Sequence, residues 1–271
     1  MNLWKFIIGD EELKAPEAKF HTWSEDQQQA KVNHWLELIQ PYERTAFKPL
    51  VETCVPEFSP HSKMGGFPFL HREEDWPKCP NCQRHMQLFL QLNLKGIPER
   101  RQDGLLQFFY CTSKTPNCEE LLQAHKPYSP GGIVHWVPSP EGESVQIEPD
   151  IEQLFPEKRI DAWKPLVDYP SFEELRELGV DIPLDDYALL EHKQVAVPFG
   201  GDKLFGWPLW ADQMNYPFDR QTRSRMEQLF QFASRDHLPW SFGEIGVCHL
   251  HESPDQPDHF CTEWSCPSQL D

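Results

Sequence analysis

The sequence predicts an α+β fold made of two pseudo-repeated antiparallel-sheet units with a few flanking helices. The chain of 271 residues contains 26 prolines and 14 glycines, a composition typical of many short strands joined by turns. Several segments alternate apolar with polar residues at the period of a strand. Three short segments of the first half also recur in the same order about 140 residues later, as expected for a degenerate duplication.

The N-terminal segment, residues 1–44, is predicted to hold a strand and a helix. Residues 1–14 contain one short apolar run that is broken by Gly9 and Asp10. This run is too short for a membrane span and lacks the small-residue cleavage site of a secretory signal. The expected location is therefore the cytoplasm.

A helix is predicted to begin after Ser24 and to end before Pro41. Ser24 and Gln27 have the spacing of a capping box. Apolar residues follow on one stripe of the helix at i, i+3, i+4 and i+7, namely Val32, Trp35, Leu36 and Ile39. Residues 44–54 suggest a second short helix, although Pro49 weakens that prediction.

The first sheet unit is predicted to span residues 45–170. Residues 86–94, "MQLFLQLNL", alternate as a half-buried strand does, and residues 104–111, "GLLQFFYC", form the next strand of a hairpin. One or two short strands are expected between the turns of residues 125–150. Residues 155–170 are interpreted as a connector.

The second sheet unit is predicted to span residues 171–271 and to pack with the first as one compact unit. It opens with a short helix that Ser171 and Glu174 cap and that Gly179 ends. The recurring segments begin at residues 62 and 202, at 88 and 228, and at 104 and 246. The alternative to duplication is chance similarity between short apolar strings.

Four cysteines of the first unit have the spacing of a zinc site. Cys79 and Cys82 precede the first hairpin strand, Cys111 ends the second strand, and Cys118 lies just beyond it. The start of one antiparallel strand neighbours the end of the next, so the two pairs are expected to meet. Four thiolates suit tetrahedral zinc in a closed, structural site. The alternatives are unpaired thiols or a redox couple, and the strand after Cys82 disfavours the couple, which needs a helix N-terminus.

The second unit offers irregularly spaced potential ligands. They are Cys248, Cys261, Cys266, His249, His251 and His259. His249 and His251 can share one face of a strand, but strand histidines more often pack or face solvent. A second metal site is therefore left open.

The charge and the motifs limit the classes of function. A formal net charge of −18, from 43 acidic and 25 basic residues, argues against nucleic acid and disfavours anionic membranes. It would attract a basic protein partner, unless the acidity serves solubility alone. The sequence has no phosphate-binding glycine loop, G-x-S-x-G or H-E-x-x-H motif. Acid runs at residues 73–75 and 185–186 are interpreted as solvated loops, so the chain is not expected to be an enzyme.

Several of these segments together resemble the YwqG-like domain family. They are "SKMGGFPFL", "DWPKCPNCQRHMQLFLQL", "GLLQFFYCTSKTPNC", "KLFGWPLW" and "LFQFASRDHLPWSFGEIGVCHL", within about residues 45–271. The resemblance implies a duplicated α+β protein, and some members are immunity proteins of bacterial polymorphic toxin systems. The cysteine-bearing half is also similar to programmed cell death protein 2, a zinc-containing chaperone of a ribosomal protein. Many YwqG-like members lack the cysteines, and neither family supplies catalytic residues.

The expected function is that of a non-catalytic immunity protein that binds and occludes a cognate toxin, with structural zinc as its cofactor. The expected partner is a basic toxin domain encoded nearby, with no role for nucleic acid or membrane. The alternatives are a chaperone for a basic client, such as a ribosomal protein, and an unrecognised enzyme.

Overall fold

A computed structural model describes residues 19–99 and 103–267 of the chain. The strand expected near the N-terminus and the first part of the segment 1–44 lie outside the described residues. So does the middle of the loop between the two hairpin strands.

Ten strands in the described part of the chain form one antiparallel sheet. Its order is β10-β9-β8-β7-β1-β6-β2-β3-β4-β5. The strands are β1 (Arg44–Thr53), β2 (Lys63–Met64), β3 (Gln87–Asn93), β4 (Leu105–Tyr110), β5 (Gly132–Val137), β6 (Lys158–Asp168), β7 (Lys203–Phe205), β8 (Glu227–Ala233), β9 (Val247–Glu252) and β10 (Phe260–Ser265). With the helices described below, the fold is mostly sheet and broadly α+β.

The two longest strands, β1 and β6, form the centre of the sheet. They replace the predicted second helix and the predicted connector, and both predictions are wrong. β1 alternates Phe47, Pro49 and Val51 with polar or exposed residues, a pattern that suits a pleated strand. Pro49 is tolerated because β7 pairs only with Ala46 and Phe47, so the missing N–H breaks no ladder on that side.

A wing of four strands extends from each central strand. β2 to β5 continue outward from β6, and β7 to β10 continue outward from β1. Lys63 faces Gln91 in one wing, and Lys203 faces Gln231 in the other. Each wing also has a register shift early in its second strand. The division into residues 1–44, 45–170 and 171–271 stays a prediction, because one sheet contains strands of both later ranges.

The sheet curls until its two edge strands approach each other. A Cβ at Gly132 of β5 would come within 2.7 Å of Thr262 Oγ1 on β10. Trp264 of β10 donates its indole N–H to the hydroxyl of Tyr110 on β4 at 2.9 Å. The curled sheet encloses the largest apolar core, which both wings share.

Aromatic rings dominate this shared core. Phe89 and Phe108 of the first wing contact Phe232 of the second at ring-centroid distances of 6.4 and 5.5 Å. The hairpin of β3 and β4 is confirmed, but β3 is buried along both faces rather than half-buried. Its glutamines are buried because they bind backbone groups: Gln91 accepts from Phe69 N and donates to Ser59 O and His61 O.

Four helices of the described chain flank the sheet. They are α1 (Glu25–Ile39), α2 (Cys118–Leu121), α3 (Phe172–Glu177) and α4 (Leu184–Lys193). The capping boxes predicted at Ser24 and Ser171 are both present. None of the helices in the described residues has the length and apolarity that crossing a membrane requires.

The sequence does not predict helix α4, because Asp185 and Asp186 are typical of a solvated loop. Asp186 is buried instead, and it accepts hydrogen bonds from Trp35 Nε1 at 2.7 Å and from Lys31 Nζ at 2.8 Å. Pairing with α1 thus supplies the partners that the buried carboxylate needs. α1, α3 and α4 share a second apolar cluster beside the sheet.

Candidate metal centre

A tight turn before β3 positions the first cysteine pair. Cys79 N donates to Arg84 O, and Gln83 N donates to Cys79 O, both at 2.9 Å. Gln83 takes a left-handed φ of 62°, which reverses the chain within four residues. The turn directs the sulfurs of Cys79 and Cys82 to the same side.

The hairpin brings the second cysteine pair to this turn. Gln87 at the start of β3 pairs with Tyr110 at the end of β4, so Cys111 follows directly beside the turn. Cys118 is the first residue of α2 and is fully buried. The convergence of the four cysteines thus results from hairpin register, as the spacing predicted.

The four sulfurs form a compact group. All lie within 4.8 Å of one another, and Cys82 Sγ is 3.8 Å from Cys111 Sγ. A tetrahedral ion with sulfur ligands at about 2.3 Å separates its ligands by about 3.8 Å. None of the cysteines is in a disulfide. The group can therefore hold a metal ion.

The turn donates hydrogen bonds to two of the four sulfurs, those of Cys82 and Cys118. Burial acts to raise the pKa of Cys82, but the Arg84 backbone N–H and the neighbouring thiols lower it below its ordinary value. Asn81 Nδ2 donates to Cys118 Sγ at 3.2 Å. Burial raises the pKa of Cys79 and of Cys111, and a bound cation would act in the opposite direction by favouring their thiolate forms.

The cysteine group ties a long loop to the hairpin. The loop between β2 and β3 places Leu70 and Trp76 over the outer face of the first wing. There they join Leu88 and Phe109 in a third apolar cluster with the cysteines. A bound metal would fix this loop to the hairpin and to α2.

The second wing has a turn of the same shape that lacks cysteine. Asp219 N donates to Ser224 O at 2.9 Å, and Arg223 N donates to Asp219 O at 3.0 Å. The Asp219 carboxylate accepts from the backbone N–H groups of Gln221 and Thr222 at 2.7 and 2.9 Å. Its second oxygen lies 2.8 Å from His259 Nδ1. Hydrogen bonds thus close this turn without a metal.

The remaining potential ligands of the second wing do not gather as one group. Cys248 and Cys261 are buried and Cys266 is half-buried, each outside any cluster of ligands in the described chain. His249 and His251 meet Glu263 of β10, a residue that the sequence reasoning missed. The signal was a His-x-His strand followed by an acid on a neighbouring strand, but β10 had not been predicted. A further group joins Asp202, Asp236 and His237.

Comparison with known sequences identifies one family. Residues 62–254 match the profile of a family described as "Domain of unknown function (DUF1963)". The matched region contains β2 to β9, the four cysteines and the second turn. No curated protein matches the chain.

Proposed function

The chain belongs to the DUF1963 family of domains of unknown function, and from its own residues we propose that it is a non-catalytic protein-binding module. The proposed role is that of a cytoplasmic immunity protein that binds and occludes a cognate antibacterial toxin. The resemblance to YwqG-like proteins supports this role. The structural observation that supports the proposal is the convergence of four cysteines, namely Cys79, Cys82, Cys111 and Cys118.

The proposed ion in the cysteine group is zinc. Four thiolates are the preferred ligands of structural zinc, and their separation fits its bond length. Four protein ligands leave no coordination position for a substrate. The ion would therefore stabilise the first wing and the loop that covers it, and would take no part in a reaction.

The surface charge supports a basic protein partner. The chain has 18 more acidic than basic residues. Several bases are already paired with acids on the surface, including Arg72 with Asp75, Arg84 with Glu152 and Arg225 with Glu177. The remaining acidic excess would accelerate the encounter with a basic toxin domain.

A cleft of about 430 Å³ between β5 and β10 is one location that the enzyme alternative could use. Asp219, His259 and Cys261 line the cleft. A nucleophilic cysteine needs a lowered pKa. Burial instead raises the pKa of Cys261 to about 12, and its thiol donates to Thr262 O. These two features argue against Cys261 as a nucleophile in this cleft.

We also infer that the two wings derive from one duplicated unit. Both wings run outward from the central strands in the same order. Both pair a buried lysine with a buried glutamine, and both precede their second strand with the same tight turn. The replacement of Cys79 by Asp219 would then be a divergence between the copies.

The immunity proposal is tested with the product of the adjacent reading frame. We expect co-expression of this chain to protect cells from that product and the two proteins to purify as a one-to-one complex. Added salt should slow association more than it speeds dissociation, because long-range attraction is screened first. An unrelated basic protein serves as the control for non-specific attraction.

Failure of both protection and co-purification would contradict the immunity role. Co-purification with a nascent ribosomal protein would then favour the chaperone alternative. Turnover of a substrate that is lost on replacing Asp219 or His259 would favour the enzyme alternative.

A further inference from the structure

Two histidines and a glutamate form a buried group on the outer face of the second wing. His249 and His251 lie two residues apart on β9, and Glu263 faces His249 across the ladder on β10. Their side chains are 0%, 0% and 2% exposed. Glu263 Oε1 is 2.7 Å from His249 Nδ1 and 3.4 Å from His251 Nε2. We call these three residues the histidine group.

Of the three corresponding positions of the first wing, two are also polar and one is apolar. Gln107 faces His135 where His249 faces Glu263, and Phe109 stands where the second wing has His251. Beside the register shift of each wing, Leu88 faces Phe109 in the first, whereas Gln228 faces His251 in the second. Burying polar groups at apolar positions costs free energy unless they gain partners. At His251 the second wing therefore needs a compensating interaction that the first wing does not, whereas Gln107 of the first wing already donates to Phe69 O and Gln91 Oε1.

Hydrogen bonds within the described chain do not supply all of that compensation. His249 Nε2, His251 Nδ1 and Gln228 Oε1 are buried and have no hydrogen-bond partner. Buried polar atoms are nearly always satisfied, and exceptions point to a missing water or ion. The two ring nitrogens among them point away from Glu263. The nitrogens that face Glu263 Oε1 are His249 Nδ1 and His251 Nε2, and the potential ligand atoms of the three residues lie within 4.8 Å of one another.

Aromatic side chains enclose the histidine group. Trp210 lies over both rings, at centroid distances of 4.8 Å from His249 and 6.2 Å from His251. Tyr216 contacts His251 at 6.0 Å and is itself hydrogen-bonded to Glu174. Trp210 and Tyr216 belong to the loop between β7 and β8. The histidine group thus lies under the covering loop of its wing, as the cysteine group lies under the other.

We propose that His249, His251 and Glu263 form a second metal site, which takes a divalent cation of the zinc class. Imidazole nitrogens and a carboxylate oxygen are common ligands of such ions at about 2.0–2.2 Å. Ligands at that distance are separated by about 3.3 Å in a tetrahedron, which matches the 3.4 Å between His251 Nε2 and Glu263 Oε1. The 2.7 Å between His249 Nδ1 and Glu263 Oε1 is a hydrogen-bond distance that would lengthen when both atoms bind the ion. The fourth ligand would be water.

Cobalt(II) substitution of the full chain distinguishes this site from the cysteine group. Metal-free protein is titrated with cobalt under reducing conditions, and its near-ultraviolet and visible spectra are recorded. We expect about two equivalents to bind. One should produce the intense sulfur-to-cobalt band of the cysteine group, and the other only weak visible bands of nitrogen and oxygen ligands. The Cys79→Ser variant should lose the first signal and keep the second.

Variants of the proposed ligands test whether the second equivalent of cobalt binds to the histidine group. His251→Gln and Glu263→Gln should each lose that equivalent and keep the sulfur band. His135→Gln is the matched control, because His135 occupies the position on β5 that corresponds to Glu263. It should bind both equivalents. Binding of no cobalt outside the cysteines by the wild-type chain would overturn the proposal even if the variants failed to fold. Retention of the second equivalent by both folded variants would also overturn it.

Discussion

Two buried lysines attach the wings to the central strands. Lys203 Nζ lies 2.7 Å from Asp168 Oδ2, and Lys63 Nζ lies 2.9 Å from Glu157 Oε2. Burial lowers the pKa of both lysines, and the neighbouring carboxylate opposes this by favouring the charged form. Asp168 ends β6 and Glu157 directly precedes it, so the two pairs join the first strand of each wing to opposite ends of β6.

Replacement of one partner should leave a buried charge uncompensated. Asp168 also accepts from the backbone N–H groups of Phe199 and Trp207. We expect Asp168→Asn to lower the free energy of unfolding by about 3–5 kcal/mol. Urea denaturation measures the change. Asp161→Asn is the control, because the Asp161–Arg159 pair is exposed and should contribute less than about 1 kcal/mol. If Asp168→Asn and Asp161→Asn had the same free energy of unfolding, the buried Lys203–Asp168 pair would not stabilise the fold as proposed.

Loss of one cysteine ligand should release the proposed zinc. We expect Cys79→Ser to lower the free energy of unfolding by more than about 3 kcal/mol, because metal binding contributes to folding. Metal content and thermal unfolding measure the two effects. Cys54→Ser is the control, since Cys54 is half-buried and lies outside the cysteine group. A Cys79→Ser protein with wild-type stability and metal content would contradict the proposal.

Sequence spacing could identify the cysteines but not the histidine group. The four cysteines belong to one hairpin and its flanks, so local register determines their convergence. The histidine group needs Glu263, which faces His249 only because β10 pairs with β9. β10 follows a turn-rich segment and has the mixed sequence "FCTEWS", in which the alternation is weak. The potential ligand was therefore not recognised.

At the scale of elements, a histidine links β7 to the loop after β8. His237 Nδ1 is 2.8 Å from Asp202 Oδ2 and 3.7 Å from Asp236 Oδ2. The hydrogen bond to Asp202 raises the pKa of His237 above 6.5, although burial and Lys158 act to lower it. The protonated ring therefore stabilises this connection.

The stabilisation by His237 should disappear as pH rises. A histidine whose pKa is higher in the folded state contributes fully below its unfolded value of 6.5 and loses the contribution as pH passes the folded pKa. We expect wild type to exceed His237→Gln in free energy of unfolding at about pH 5.5 and the gap to narrow by about pH 8.5. His71→Gln, on an exposed loop, is the control. If the difference in free energy of unfolding between wild type and His237→Gln were the same at both pH values, His237 would not act through its charge.

Strands with strong alternation were predictable, and those with mixed patterns were not. Residues 86–94 and 104–111 gave clear periods, and both form strands. β1 and β6 each contain a proline and several exposed residues, which obscured their period. Their pairing along ten residues depends on each other, not on local propensity. Helix α4 was not predictable because its first turn contains Asp185 and Asp186, although its buried side packs on α1.

At the scale of the molecule, the two wings share one core and should fold as one unit. β7 pairs with β1, and aromatic rings of the first wing contact those of the second. We therefore expect residues 171–271 alone to remain unfolded and the full chain to unfold in one transition. Circular dichroism follows the unfolding of the full chain, and the dispersion of amide-proton NMR signals shows whether the fragment is folded. A cooperatively folded C-terminal fragment would contradict the shared core.

The central claim is that the first wing is held by a zinc ion bound to four cysteines. X-ray absorption at the zinc edge, on full-length protein purified without chelator, tests it most directly. We expect a shell of sulfur ligands at about 2.3 Å that is present in wild type and absent from Cys79→Ser. Protein that contains no zinc, or zinc without sulfur ligands, would contradict it.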